Sequence, residues 1–215
     1  GRQIVVSATQ LLNVPVEDRN WNVSLEGDSV LLAGWAEMHA ATQGRLLAGD
    51  GDIDLALALS RDGISNATAD VDFGEVTLQP GGAFDLQGRF ELDTSSDGWL
   101  VAAEGFRIVT GDHEWPESSL RAEGSVDTNG ETVMLNVRAS YLNLDDTALL
   151  LPLLSDEQRS QLVTVDPSGE IRDLVATISD IGGESPQFAV AADLDGFGMA
   201  ADGKRPGIRG FTGQL

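Results

Sequence analysis

The amino-acid sequence predicts a mainly β protein: a curved antiparallel meander with one short helical interruption. Three observations predict it. Strand-like stretches with one apolar face recur along the 215 residues, only one segment near residue 150 reads as helix, and turn dipeptides separate successive stretches. Between Phe84 and Leu92, for example, Phe84, Leu86, Phe90 and Leu92 share one face, while Asp85, Gln87, Arg89 and Glu91 take the other. A sheet that is apolar on one side must cover that side. The chain has too little helix to do so, which leaves a second sheet or a ligand with apolar tails.

The period-2 stretches are, in order, Ile4 to Leu12, Trp21 to Glu26, Val30 to Ala40, Ile53 to Ser60, Ala69 to Phe73, Ala83 to Asp93, Trp99 to Val109, Ser119 to Asp127, Thr132 to Leu142, Glu170 to Ser179, Gln187 to Leu194 and Ile208 to Leu215. Asn129-Gly130, between Val126 and Val133, is a strong hairpin signal, because positive φ angles suit Asn-Gly and match strand twist. Pro80-Gly81, Asp97-Gly98, Ser168-Gly169 and Asp202-Gly203 are weaker signals of the same kind. Strands joined this way pair antiparallel. The apolar parity slips between Val71/Phe73 and Val76/Leu78, across Gly74, and a bulge there restores one buried face. Bulges bend and twist strands, so the sheet is expected to curve and to have a concave side.

The pattern breaks between Asp145 and Val165. Asp145 or Asp146 can cap a short helix that Pro152 ends, and Ser155-Asp156-Glu157-Gln158 is a capping box opening a second helical stretch to about Val163. The chain thus divides into a β segment, 1–144, a helical insert, 145–165, and a continuing β segment, 166–215. The insert either plugs one end of the sheet or acts as a lid.

A chain of this length can bury a sizeable core, and one domain is the default. With 13 Lys+Arg against 35 Asp+Glu, the net charge is −22. Such a chain repels polyanions, which argues against nucleic acid and a bare anionic membrane surface as partners. It has no cysteine, which removes thiolate chemistry and disulfides. The longest apolar run, Ala148 to Leu154, holds Pro152 and is too short to span a bilayer. The start at Gly1 without Met, and strand-like text up to Leu215, read as a piece of a longer protein.

Catalytic motifs are scarce. The two histidines are His39, in a strand-like run, and His113, where Trp115-Pro116-Glu117 breaks any HExxH helix. Asp50, Asp52 and Asp54 resemble a calcium ladder, but side chains two apart on a strand stand roughly 6.5 to 7 Å from one another, too far to share one ion. Paired carboxylates for glycoside hydrolysis are defined in space, and nothing in the text singles out two. Trp21, Trp35, Trp99 and Trp115 stack sugars only if they share an exposed face; partial burial is the competing reading. What remains is the apolar stripe: Leu55, Leu57, Val71, Phe73, Phe84, Leu86, Phe90, Leu120, Val126, Val133, Leu135 and Val137. It is either a dry sandwich core or a surface for acyl chains.

From about Leu142 onward the text resembles the periplasmic AsmA-like proteins, closest to the YhdP branch. The matching residues are Leu151-Pro152-Leu153-Leu154, Leu162, Asp166-Pro167-Ser168-Gly169-Glu170-Ile171-Arg172-Asp173-Leu174, Leu194-Asp195-Gly196-Phe197-Gly198 and the ending from Pro206 to Leu215. The resemblance implies a U-shaped, taco-like groove that carries phospholipid between inner and outer membrane. It also implies a periplasmic location in a full-length protein anchored in the inner membrane, with no cofactor and no catalytic residue. Partners would then be phospholipid or another acyl lipid and neighbouring segments of the same longer chain. The alternatives are a secreted carbohydrate-binding or adhesive β-sandwich and, third, a glycosidase.

Overall fold

The computed structural model describes residues 3–10, 20–36, 46–61, 63–79, 82–111, 113–149, 156–183, 185–201 and 206–215. Twelve strands form one open antiparallel sheet: β1 (Gln3–Gln10), β2 (Trp21–Leu31), β3 (Leu46–Ser60), β4 (Gly63–Leu78), β5 (Gly82–Ser95), β6 (Gly98–Thr110), β7 (His113–Glu114), β8 (Ser118–Val126), β9 (Thr132–Asn143), β10 (Ser168–Ser179), β11 (Gln187–Met199) and β12 (Ile208–Gln214). Neighbours in the sheet are neighbours in sequence, except that β7 is a short spur on β6 and β8 takes the main place beside β6. A 3-10 helix, Leu144–Leu149, and an α-helix, Asp156–Val165, interrupt the meander between β9 and β10. The sheet continues unbroken across them, because β9 and β10 pair directly.

Several local expectations are corrected. The stretch predicted from Val30 does not continue as a strand: Val30 and Leu31 end β2, Leu32–Ala36 forms a helical turn, α1, and residues 37–40 lie outside the described residues. From Val30 to Ala36 the text is apolar or glycine throughout, so alternation carries no signal there, and Leu and Ala favour helix. The asparagine–glycine hairpin forms, but not as a two-residue loop. Asp127 organises it, with its backbone N–H donating to Glu131 O at 2.9 Å and its carboxylate accepting from the N–H groups of Asn129 and Glu131 at 2.8 and 3.0 Å. Ser168-Gly169 opens β10 rather than making a turn. His39, Pro80-Gly81, Pro152, Ser155 and Asp202-Gly203 lie outside the described residues.

A band of bulges crosses the sheet, and bulges bend and twist the strands that carry them. Single residues in the left-handed conformation sit in β2 (Ser29, φ 53°), β4 (Glu75, φ 51°), β6 (Gly105, φ 57°), β10 (Asp173, φ 50°) and β11 (Gly196, φ 63°). The pairing register slips around each of these residues. The parity slip in β4 is therefore real, although Glu75 rather than Gly74 takes the positive φ. Each bulge removes backbone partners, and a side chain on an adjacent strand replaces several of them. Ser29 N–H donates to Asp52 Oδ1 at 2.9 Å, Glu75 N–H to Asp85 Oδ1 at 2.8 Å, Ser119 N–H to Ser140 Oγ at 2.9 Å and Gly196 N–H to Thr212 Oγ1 at 3.1 Å. We call this band the crease.

The crease makes a direct stability prediction. Asp85→Ala removes the side-chain partner of the exposed Glu75 amide and should cost about 0.5–1.5 kcal/mol in urea unfolding. Glu75→Gly relieves the left-handed strain of a non-glycine residue, roughly 1–2 kcal/mol less the entropy of glycine, and should be neutral or stabilising. If both changes destabilise the chain equally, the capping role assigned to Asp85 is wrong.

Candidate functional site

Register places the apolar side chains in rows that run across the strands. One row is Val6, Leu25, Leu55, Ala69, Phe90, Ala103, Leu120, Ala139 and Leu174, from β1 to β10. The next is Ala8, Val23, Leu57, Ala67, Leu92, Val101, Ala122, Val137, Ala176 and Val190, reaching β11. Neither row holds a charged or polar side chain. Large and small residues alternate through much of their length, which lets side chains on a bent surface approach without collision.

Register places ten of the twelve residues of the predicted stripe on this face. Leu55, Phe90 and Leu120 lie in the first row, and Leu57 and Val137 in the second. Val71 faces Gly88, Phe73 faces Leu86 and Phe84 faces Val76. Leu135 faces Gly124 and Ile178, whereas Val126 and Val133 lie at a register shift where Val126 faces Thr132. Of the twelve only Phe73 is buried; the others are half-buried. Among the described residues no second sheet covers them, and none of the described large side chains is completely enclosed. The chain exposes 13673 Å², whereas a compact monomer of this mass exposes roughly 9,500 Å².

The crease divides the apolar face into unlike halves. On one side, among the described residues, lie the hairpin turns at Ser60/Gly63, Ser95/Gly98 and Asp127 to Glu131 and the longer connection from Ser179 to Gln187. On the other lie α1, β7, the 3-10 helix and Phe106, Trp115 and Tyr141, whose core cluster is packed on that side by Ile108 and Leu142 and reaches across the crease to Ala103, Phe90 and Leu120. Trp115 stands edge-on to Tyr141 with ring centroids 5.5 Å apart, and Phe106 lies 6.1 Å from Trp115. Phe90 and Leu120 thus belong both to the stripe and to this filled section.

Asp146 holds the cluster. Its carboxylate accepts from Trp115 Nε1 at 2.7 Å and from Thr110 Oγ1 at 3.3 Å, tying the 3-10 helix to the end of β6 and the segment after β7. The sequence marks Asp145 or Asp146 as a helix cap, but Asn143 is the residue that caps, its Oδ1 accepting from Asp145 N–H at 3.0 Å. Asp145 instead accepts from Gly169 N–H at 3.3 Å. A carboxylate that reaches a tryptophan thirty-one residues earlier leaves no trace in local spacing.

The other candidates find structural roles. Asp52 caps the Ser29 bulge, and Asp54 stands outward in a row with Glu26, Asp70, Arg89 and Glu104. Among the described residues no group of three or more His, Asp or Glu is arranged to hold a metal ion. His113 is exposed beside the ion pair of Arg107 and Glu114. Trp21 and Trp99 lie on the apolar face on separate strands, Trp115 is buried, and the side chain of Trp35 lies outside the described residues. Trp99 rests flat on Gly124, where a Cβ would meet the indole at 2.5 Å, so the glycine makes room for the ring.

Tyr141 reports on the cluster. Burial, and then the nearby Glu170 carboxylate, push its hydroxyl up to about 12 from the usual 10. A raised folded-state value means the neutral phenol stabilises the fold fully below pH 10, and that this contribution is lost between pH 10 and about 12. Because Tyr141 is the single tyrosine, phenolate absorbance reads it alone. The titration should be delayed toward 12 and coincide with loss of the sheet signal in circular dichroism. Titration near 10 with the fold intact would contradict the packing described.

Among the described residues no helix is long and apolar enough to cross a membrane. No curated protein and no solved structure matches the chain. The family model described as YhdP protein matches residues 3–215, nearly the whole length and well beyond the last third where the textual resemblance lies. The chain therefore belongs to the YhdP family, a lipid-transport family of the bacterial envelope.

Proposed function

We propose that this chain is a periplasmic segment of a bridge-type lipid carrier that holds phospholipid acyl chains on its apolar face during movement between inner and outer membrane. The observation that carries this reading is the pair of uncharged side-chain rows crossing nine and ten strands with, among the described residues, no second layer over them. Each buried acyl CH₂ is worth roughly 0.8 kcal/mol. A long tail passing through water therefore meets a barrier on the order of ten kcal/mol, which a continuous apolar surface lowers. That service needs position and surface alone, with no nucleophile, acid–base pair or cofactor, so the role is that of a conduit rather than an enzyme.

The edges support the same reading. Among the described residues, strands β1 and β12 each pair on one side only. Their free backbone N–H and C=O groups suit further strands, and we assign these to neighbouring segments of the same longer chain, anchored in the inner membrane. The net charge of −22 keeps such a ribbon from lying flat on anionic headgroups. A sugar-binding sandwich requires a second sheet, and no observation favours it.

Mass spectrometry of the purified chain should find co-purified phospholipid. Leu135→Asp should reduce the bound lipid, whereas Asn136→Asp, on the opposite face beside Thr177, should not. Equal effects of the two changes would refute the face assignment, and a folded chain free of lipid would refute the conduit.

A further inference from the structure

We infer that, over strands β5 to β9, lipid tails lie only on the hairpin-side half of the apolar face, between the crease and the tight turns. The helical-side half is closed to them by the protein's own aromatic cluster. This inference rests on the lipid-binding reading and divides its surface.

Three observations carry it. The first is burial. On the helical side Phe106, Trp115 and Tyr141 are 6–7 % exposed, at the level of an ordinary protein core. On the hairpin side Val101 is 41 % exposed, and Leu92, Ala122 and Val137 in the same row are half-buried. An acyl chain gains only where it removes apolar surface from water, so the gain lies on the hairpin side.

The second is fixation. The cluster is held by hydrogen bonds as well as by contact: Trp115 N–H donates to Ile108 O at 2.9 Å, and Trp115 Nε1 donates to Asp146 at 2.7 Å. Prising it open to admit a tail separates a charge-assisted hydrogen bond from its partner without replacing it, since a hydrocarbon has no acceptor.

The third is geometry. From Phe90, the last β5 residue packed on the cluster, to Ser95 at the turn, β5 advances about 17 Å at roughly 3.3 Å per residue, so the open part alone is wide enough for a tail. With the crease and cluster on one side, the polar end of the lipid leaves over the hairpin rim.

Benzoylphenylalanine placed singly at Leu92, Val137, Ile108 or Leu142 separates the possibilities. Each variant is mixed with vesicles of radiolabelled phosphatidylethanolamine, irradiated and analysed for covalent label, with circular dichroism confirming the sheet. Several-fold more label at Leu92 and Val137 than at Ile108 and Leu142 is the expected result. Equal labelling of both pairs overturns the inference and leaves lipid binding standing. Folded variants with no label at any position overturn lipid binding itself. In a Trp115→Ala background the Ile108 probe should gain label; if it does not while Leu92 still labels, the aromatic cluster is not the barrier and the inference falls.

Discussion

A single-layer sheet cannot bury its own apolar face, and every other feature of this molecule answers to that constraint. Sandwiches and barrels solve it by adding a layer or closing the sheet. Here the order β1 to β12 neither closes nor doubles back. The rows of Leu, Val and Ala are therefore left at partial exposure, which a soluble protein tolerates as scattered residues but rarely as a continuous field. Such a field marks an interaction surface, and the absence of charge along it restricts the occupant to something apolar.

How the sheet bends without losing its ladder is answered by the crease. A bulge re-aims a strand but strands backbone N–H groups, each of which costs free energy when unpaired. The chain meets this cost from its outward polar residues. Asp52 and Asp85 on two strands, Ser140 and Thr212 on two others, accept the amides that the bulges orphan. Part of the large negative charge is thus structural. Ion pairs such as Arg89–Asp70 at 3.5 Å, with both side chains more than half exposed, contribute little by comparison.

Much of this was legible in the text because period-2 alternation survives wherever one face is apolar and the other wet. Phe84 to Leu92 shows it, and register brings ten of the twelve stripe residues to one face. Alternation failed where both faces turn apolar, as at Leu31 to Ala36, where α1 appears. Parity slips revealed that a bulge sits after Phe73, but not which residue adopts the left-handed conformation. That choice was decided by the Asp85 carboxylate waiting on the next strand, a contact ten residues away. The aromatic latch was hidden for the same reason. Asp146 reads locally as a helix cap, and only the return of β9 beside β8 and β6 brings it to Trp115.

The unequal halves then follow from stability. An uncovered field of aliphatic side chains contributes less than a packed core, because the half-exposed residues keep part of their surface in water. A fold that needs such a field must obtain cohesion elsewhere. Here it comes from one rim, where Phe106, Trp115 and Tyr141 interlock under the 3-10 helix and hydrogen bonds to Asp146 fix them. Concentrating the core on one side of the crease leaves the other side bare without unfolding the sheet. Cohesion and capacity for a guest compete for the same apolar surface, and the crease is the boundary along which this chain divides it.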